Sequence, residues 1–320
     1  MKNRGFTLVE LLVSMAITAI IITVLVVCTS MVSSAYRRNS DNIEISRKAN
    51  AAMEVLADDV EVMVTRPGNN FEWLYLGQGH LSSAADEDVG DSTIMSSNAQ
   101  LIFLYSTVDR YNGVPTAGEG DVSLVSYRLA YRNEIASLDG ANSADDEFRT
   151  FALYRHNIDP DDAFVDGYIG VEAGDGTSPL TEGLVGQYGV DNANALSASN
   201  LLVENIVSFT AVFEVEHDSG SLHLTIKPLD SAGVANATTP GSTEGTFLSL
   251  SGRGIRTDVP AFVSPTTPIT NARIKSVTFN VTTVSSRGIR AMNNKALTLA
   301  ELINQFGQTF TTSVRLRNAL

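Results

Sequence analysis

The hydrophobic pattern of the chain has three regimes. From Leu11 to Tyr36, about 26 residues pass without one charged side chain, and at ~1.5 Å rise per residue a helix of that length exceeds the ~30 Å hydrocarbon layer of a bilayer. Beyond a collar at Arg37 and Arg38, the residues Ile45, Ala49, Ala52, Met53, Leu56, Val60 and Met63 recur at spacings of three and four, on one helical face. Glu44, Arg47, Lys48, Glu54, Asp58 and Glu61 take the remainder. Gly and Pro are absent from Phe6 through Arg66, so the pattern predicts one long helix, ended by Arg66-Pro67-Gly68.

After Pro67 the period changes from that of a helix to that of a strand. Alternation predicts strands over 100–106, 122–131, 150–155, 206–216, 221–227, 273–284 and 309–316. Phe209, Ala211, Phe213 and Val215 share one strand face, and Val277, Phe279 and Val281 another, as a sheet with one buried face requires. Phe71, Trp73, Leu74, Tyr75 and Leu76 form an apolar cluster that belongs in the core against the helix. Thr298-Leu299-Ala300-Glu301 fits a capping box opening a short helix to Phe306. Stretches 81–98 and 229–268, rich in Gly, Ser, Thr and Pro, read as long loops. The fold class is α+β: a long N-terminal α-helix, half membrane-spanning and half amphipathic, packed on an antiparallel β-sheet head.

Charge narrows the partners. The 320 residues carry a formal charge of -14 with a pI near 4.7, and such a surface repels nucleic-acid phosphates. The lone cysteine, Cys28, lies in the apolar run, where a thiol behaves as a small buried hydrophobe. An internal disulfide and a cysteine metal cluster are both excluded.

The start of the chain separates two explanations of the apolar run. A secretory signal has an apolar region of only about 7–15 residues before a small-residue cleavage site, and no A-x-A-like site follows Tyr36. Glu10 adds a carboxylate at the head of the run, which in lipid needs water or a cationic partner. The string Arg4-Gly5-Phe6-Thr7-Leu8-Val9-Glu10-Leu11-Leu12-Val13 resembles the type IV prepilin signature: a basic leader ending in glycine, a new N-terminal phenylalanine, and glutamate at the fifth mature position. The resemblance implies that a prepilin peptidase cuts between Gly5 and Phe6 and methylates the Phe6 amine. It also implies that Glu10 pairs with the Phe6 amine of a neighbouring subunit. Val27 stands where many major pilins carry a helix-kinking proline.

On this resemblance the chain divides into a leader over 1–5, a membrane and fibre-core helix over 6–36, an amphipathic helix over 37–66 and a β-rich head over 67–320. The positive-inside rule leaves orientation open, because Lys2 and Arg4 are balanced by Arg37 and Arg38. The family implies a single pass of the inner membrane with a periplasmic head. Val125-Ser126-Tyr127-Arg128-Leu129, Leu153-Tyr154-Arg155, Leu202-Val203-Glu204-Asn205-Ile206 and Val314-Arg315-Leu316-Arg317-Asn318 resemble islands of the J-type minor pseudopilins of type II secretion and of W-type minor pilins. Verru_Chthon cassette C proteins show much the same islands.

No catalytic constellation emerges from the head. His80, His156, His217 and His223 are scattered outside any metal-ligand spacing, although His217 and His223 flank the turn Asp218-Ser219-Gly220. G-x-S-x-G and the P-loop pattern are both missing. Asp161, Asp162 and Asp166, before Gly167, are oxygen donors that could take Ca²⁺, without EF-hand spacing; no other cofactor is expected. The reading is a non-enzymatic structural subunit, a minor pseudopilin or minor pilin. Its expected partners are other pilin-like subunits, the prepilin peptidase and an inner-membrane assembly platform. The alternatives are a pilus-displayed adhesin or DNA-uptake receptor, or a membrane-tethered enzyme.

Overall fold

The computed structural model describes residues 8–64, 72–78, 99–106, 122–132, 149–158, 198–217, 220–226, 244–245, 247–251, 254–257, 259, 272–294 and 297–316. Helix α1 runs without interruption over Leu8–Glu61, 54 residues, as the absence of Gly and Pro predicts. It stops at Glu61, short of Arg66. The chain forms two compact units, Met1–Ser46 and Arg47–Leu320.

In the first unit, residues 8–40 are exposed throughout. Part of this helix is long and apolar enough to cross a membrane, and none of that window is buried in the protein. The hydroxyls within it are satisfied internally. Thr18, Thr23 and Thr29 donate to carbonyls four residues back, and Ser14, Ser30 and Ser34 to carbonyls three back, at 2.8–2.9 Å. No hydroxyl among these needs water, as a lipid environment demands. Cys28, expected to be buried, is exposed on α1 among the described residues.

In the second unit, strands β1 (Glu72–Gln78), β2 (Ala99–Ser106), β3 (Val122–Arg132), β4 (Thr150–Ile158), β5 (Leu201–Glu204), β9 (Leu248–Ser251) and β10 (Gly254–Thr257) form a seven-stranded sheet in the order β10-β9-β1-β2-β3-β4-β5. Strands β6 (Ile206–His217), β7 (Gly220–Ile226), β8 (Glu244–Gly245), β11 (Arg273–Val284) and β12 (Gly307–Arg315) form a second sheet, ordered β12-β11-β6-β7-β8. All pairings are antiparallel except β7 with β8. Two short helices, α2 (Ser286–Asn293) and α3 (Leu299–Phe306), separate β11 from β12. The capping box of α3 forms as predicted, with Thr298 and Glu301 exchanging hydrogen bonds.

The periodic residues find one core. Ala52, Met53, Leu56, Val60 and Met63 of α1 and its end cluster with Leu74, Leu76, Leu101, Val125, Leu129 and Leu153 of the first sheet. Phe209, Ala211, Phe213, Val215, Val277, Phe279 and Val281 join from the second. The apolar cluster after the helix is the start of β1, where Leu74, Tyr75 and Leu76 are buried; Phe71 lies outside the described residues. The stretch 229–268, read as loop, contains β8, β9 and β10. The register sets His217 against Gly220 and His223 against Glu214, so these two histidines are not cross-strand neighbours.

Candidate functional site

Of the assembly residues, Glu10 lies in the first turn of α1 and is exposed. A carboxylate there is favoured by the unsatisfied N–H groups of the helix start. Gly5 and Phe6 lie outside the described residues, as do the calcium candidates Asp161, Asp162 and Asp166. Among the described residues no group of three His, Cys, Asp or Glu could hold a metal ion.

The densest polar chemistry in the head is buried beneath α1. Asp59 is fully enclosed at 0% exposure. Arg155 of β4 donates through Nε to its Oδ2 at 2.7 Å and through Nη2 to its Oδ1 at 3.1 Å, a two-pronged ion pair. Tyr127 of β3, the cross-strand partner of Arg155, donates its hydroxyl to the same carboxylate. A second, longer contact runs from that hydroxyl to the Val55 carbonyl at 3.5 Å. Burial pushes the Tyr127 phenol far above its ordinary value, and the Asp59 carboxylate adds to the shift. The phenol is therefore a neutral donor at every physiological pH. Charged geometry of this kind fixes how the amphipathic half of α1 sits on the sheet more than it adds stability.

A second polar junction lies where the chain passes from one sheet to the other. Asn205, between β5 and β6, is 3% exposed and adopts φ 68°, a region that Asn tolerates better than most residues. Its N–H reaches Phe151 O at 2.5 Å and its carbonyl accepts from Val284 N at 2.9 Å. Its side chain accepts from Thr150 Oγ1 at 2.8 Å and donates to Ser286 Oγ at 2.9 Å. One residue thus ties β4, β11 and α2 together.

Residues 1–26 match the prokaryotic N-terminal methylation motif. Over those residues the chain is type IV prepilin-like. The motif, running into an apolar helix long enough to cross a membrane, supports a pilin or pseudopilin subunit anchored near its N-terminus. No curated protein sequence matches the pilin-like chain. Among solved structures, the type IV-like pilin TTHA1219 from Thermus thermophilus aligns with 9% identity and a TM-score of 0.30, covering 86% of this chain and 97% of that one.

Asp59 has a signal in the sequence. It falls three residues after Leu56 and four before Met63, inside the buried stripe of α1, where a carboxylate requires a cation. Tyr127, Arg155 and Asn205 lie within the sequence islands that resemble minor pseudopilins.

Proposed function

We propose that this pilin-like chain is a minor pseudopilin or minor pilin of a type II secretion or type IV pilus-like fibre. In this reading a prepilin peptidase cuts after Gly5 and methylates Phe6. Residues 6–36 then hold the subunit in the inner membrane as a single pass with the head in the periplasm, and later pack in the fibre core. Glu10 takes its counter-charge from the Phe6 amine of a neighbour, which sets the axial register of the subunits. The observation that carries the reading is the methylation motif over residues 1–26 running into an apolar helix that the protein leaves exposed.

The reading is tested by intact mass and N-terminal sequencing of the protein from membranes with and without the prepilin peptidase. Loss of residues 1–5 with a methylated Phe6, dependent on that enzyme, is expected. An uncut chain, or cleavage after Tyr36, would overturn it.

A further inference from the structure

The first sheet encloses a positive charge that nothing in the head answers. Ile255 of β10 belongs to the main core with Leu248 and Leu250 of β9, so by strand alternation Arg256 lies on the opposite, outer face of that sheet. Arg256 is only 3% exposed. Its Nε and Nη1 are buried without a hydrogen-bond partner, and among the described residues it takes part in no ion pair. The core face of the same sheet shows the usual arrangement, where Arg155 places two N–H groups on the Asp59 carboxylate.

The residue type sharpens the problem. A buried lysine or histidine escapes its charge by losing a proton, and a guanidinium does not. An enclosed arginine therefore requires a counter-charge. The register supplies none. Arg256 stands opposite Ser249, Ser249 opposite Tyr75, Tyr75 opposite Ile102 and Ile102 opposite Ser126, a single row across the outer face. Ser249, Tyr75 and Ser126 are buried too, and they bring hydroxyls and no negative charge. In the next row, Gly77 stands opposite Gln100 and Gln100 opposite Arg128, a second buried arginine. A Cβ on Gly77 would run into the Tyr75 hydroxyl, so the phenol lies back along β1, with β10 and β3 two strands to either side. The chain has 36 acidic residues against 22 Lys and Arg, yet β10, β9, β1 and β3 put no described carboxylate on this face.

We propose that Arg256 anchors a binding site for a small oxyanion, of the carboxylate or phosphate class, on the outer face of the first sheet. Such an ion brings the missing negative charge and several acceptor oxygens for the Nε and Nη1 donors. Arg128 adds to the positive potential of the face. Enclosure limits the ligand to a small ion. The site lies wholly in the head and does not depend on the reading of the N-terminal motif.

The test uses the full-length chain in a neutral detergent, titrated with inorganic phosphate and, separately, with acetate, each replacing chloride at constant ionic strength. Calorimetric titration reads binding and circular dichroism reads the thermal midpoint of the head. At least one of the two anions is expected to bind and to raise the midpoint. A response to acetate alone assigns the site to carboxylates, and one to phosphate alone assigns it to phosphoryl groups. Arg256→Met, which keeps the length and removes the charge, should bind that anion about tenfold or more weakly and follow only the general effect of the salt on stability. If Arg256→Met does not fold, Arg256→Lys replaces the planar guanidinium by a compact ammonium, and its affinity should also fall. No binding of either anion overturns the proposal. So does equal binding by wild type and the Arg256 variants, or an Arg256→Met head more stable than wild type in saturating phosphate and acetate alike.

Discussion

At Asp59 the cost of burial and the value of pairing can be set against each other. An enclosed carboxylate costs several kcal/mol unless its partners are in place, and here Arg155 and Tyr127 both reach it. The two ends of the ion pair differ, since the Arg155 side chain is 23% exposed and Asp59 is 0%. Losing Asp59 leaves a guanidinium that can turn to water; losing Arg155 leaves an enclosed charge. Arg155→Met is therefore expected to lower unfolding stability by about 3–5 kcal/mol. Asp59→Leu should cost less, and the double variant should recover much of the loss. Denaturant titration followed by Trp73 fluorescence measures all three. The Tyr127 phenol, raised above its ordinary 10.0, contributes stability that is fully present below pH 10 and falls as pH rises beyond it. Tyr127→Phe should therefore flatten the alkaline loss of stability.

Among the elements, those that repeat their period several times were the legible ones. Strands β2, β3, β4, β6, β7, β11 and β12 all arise from alternating segments, and β11 spans the predicted 273–284 without change. The short strands β8, β9 and β10 have two to four residues, too few for a period of two to show against Gly, Ser and Thr neighbours. Helix α2 was hidden by Gly288, which lowers helix propensity by about 1 kcal/mol. Its reason is tertiary. A Cβ there would meet Leu302 Cδ1 at 2.7 Å and Phe306 Cβ at 2.9 Å, so glycine lets α2 and α3 lie close over Phe151, Val207 and Val284. Gly288→Ala sets that propensity gain against overpacking of about 1–3 kcal/mol. A net loss is expected, read as a lower Tm for the head. A raised Tm would mean that Leu302 and Phe306 can move aside.

On the scale of the whole molecule, the two units carry separable tasks, and the polar residue at the start of α1 differs in kind from those in the head. Asp59 and Asn205 find their partners within Arg47–Leu320, so the sequence completes them and the head's stability depends on them. Glu10 sits exposed on a helix whose surroundings, in the proposed assembly, come from other subunits. Its contribution should then appear only where other copies are present. Glu10→Ala is expected to leave the head's denaturation midpoint and cleavage after Gly5 unchanged, while incorporation into fibres falls. Arg155→Met should do the reverse, destabilising the head with no effect on cleavage after Gly5. Thermal melts, N-terminal sequencing and the yield of sheared fibres, measured on both variants, separate the two. If Glu10→Ala instead shifted the midpoint as far as Arg155→Met does, the carboxylate would be part of the chain's own folding, and the cross-subunit pairing with Phe6 would have to be abandoned.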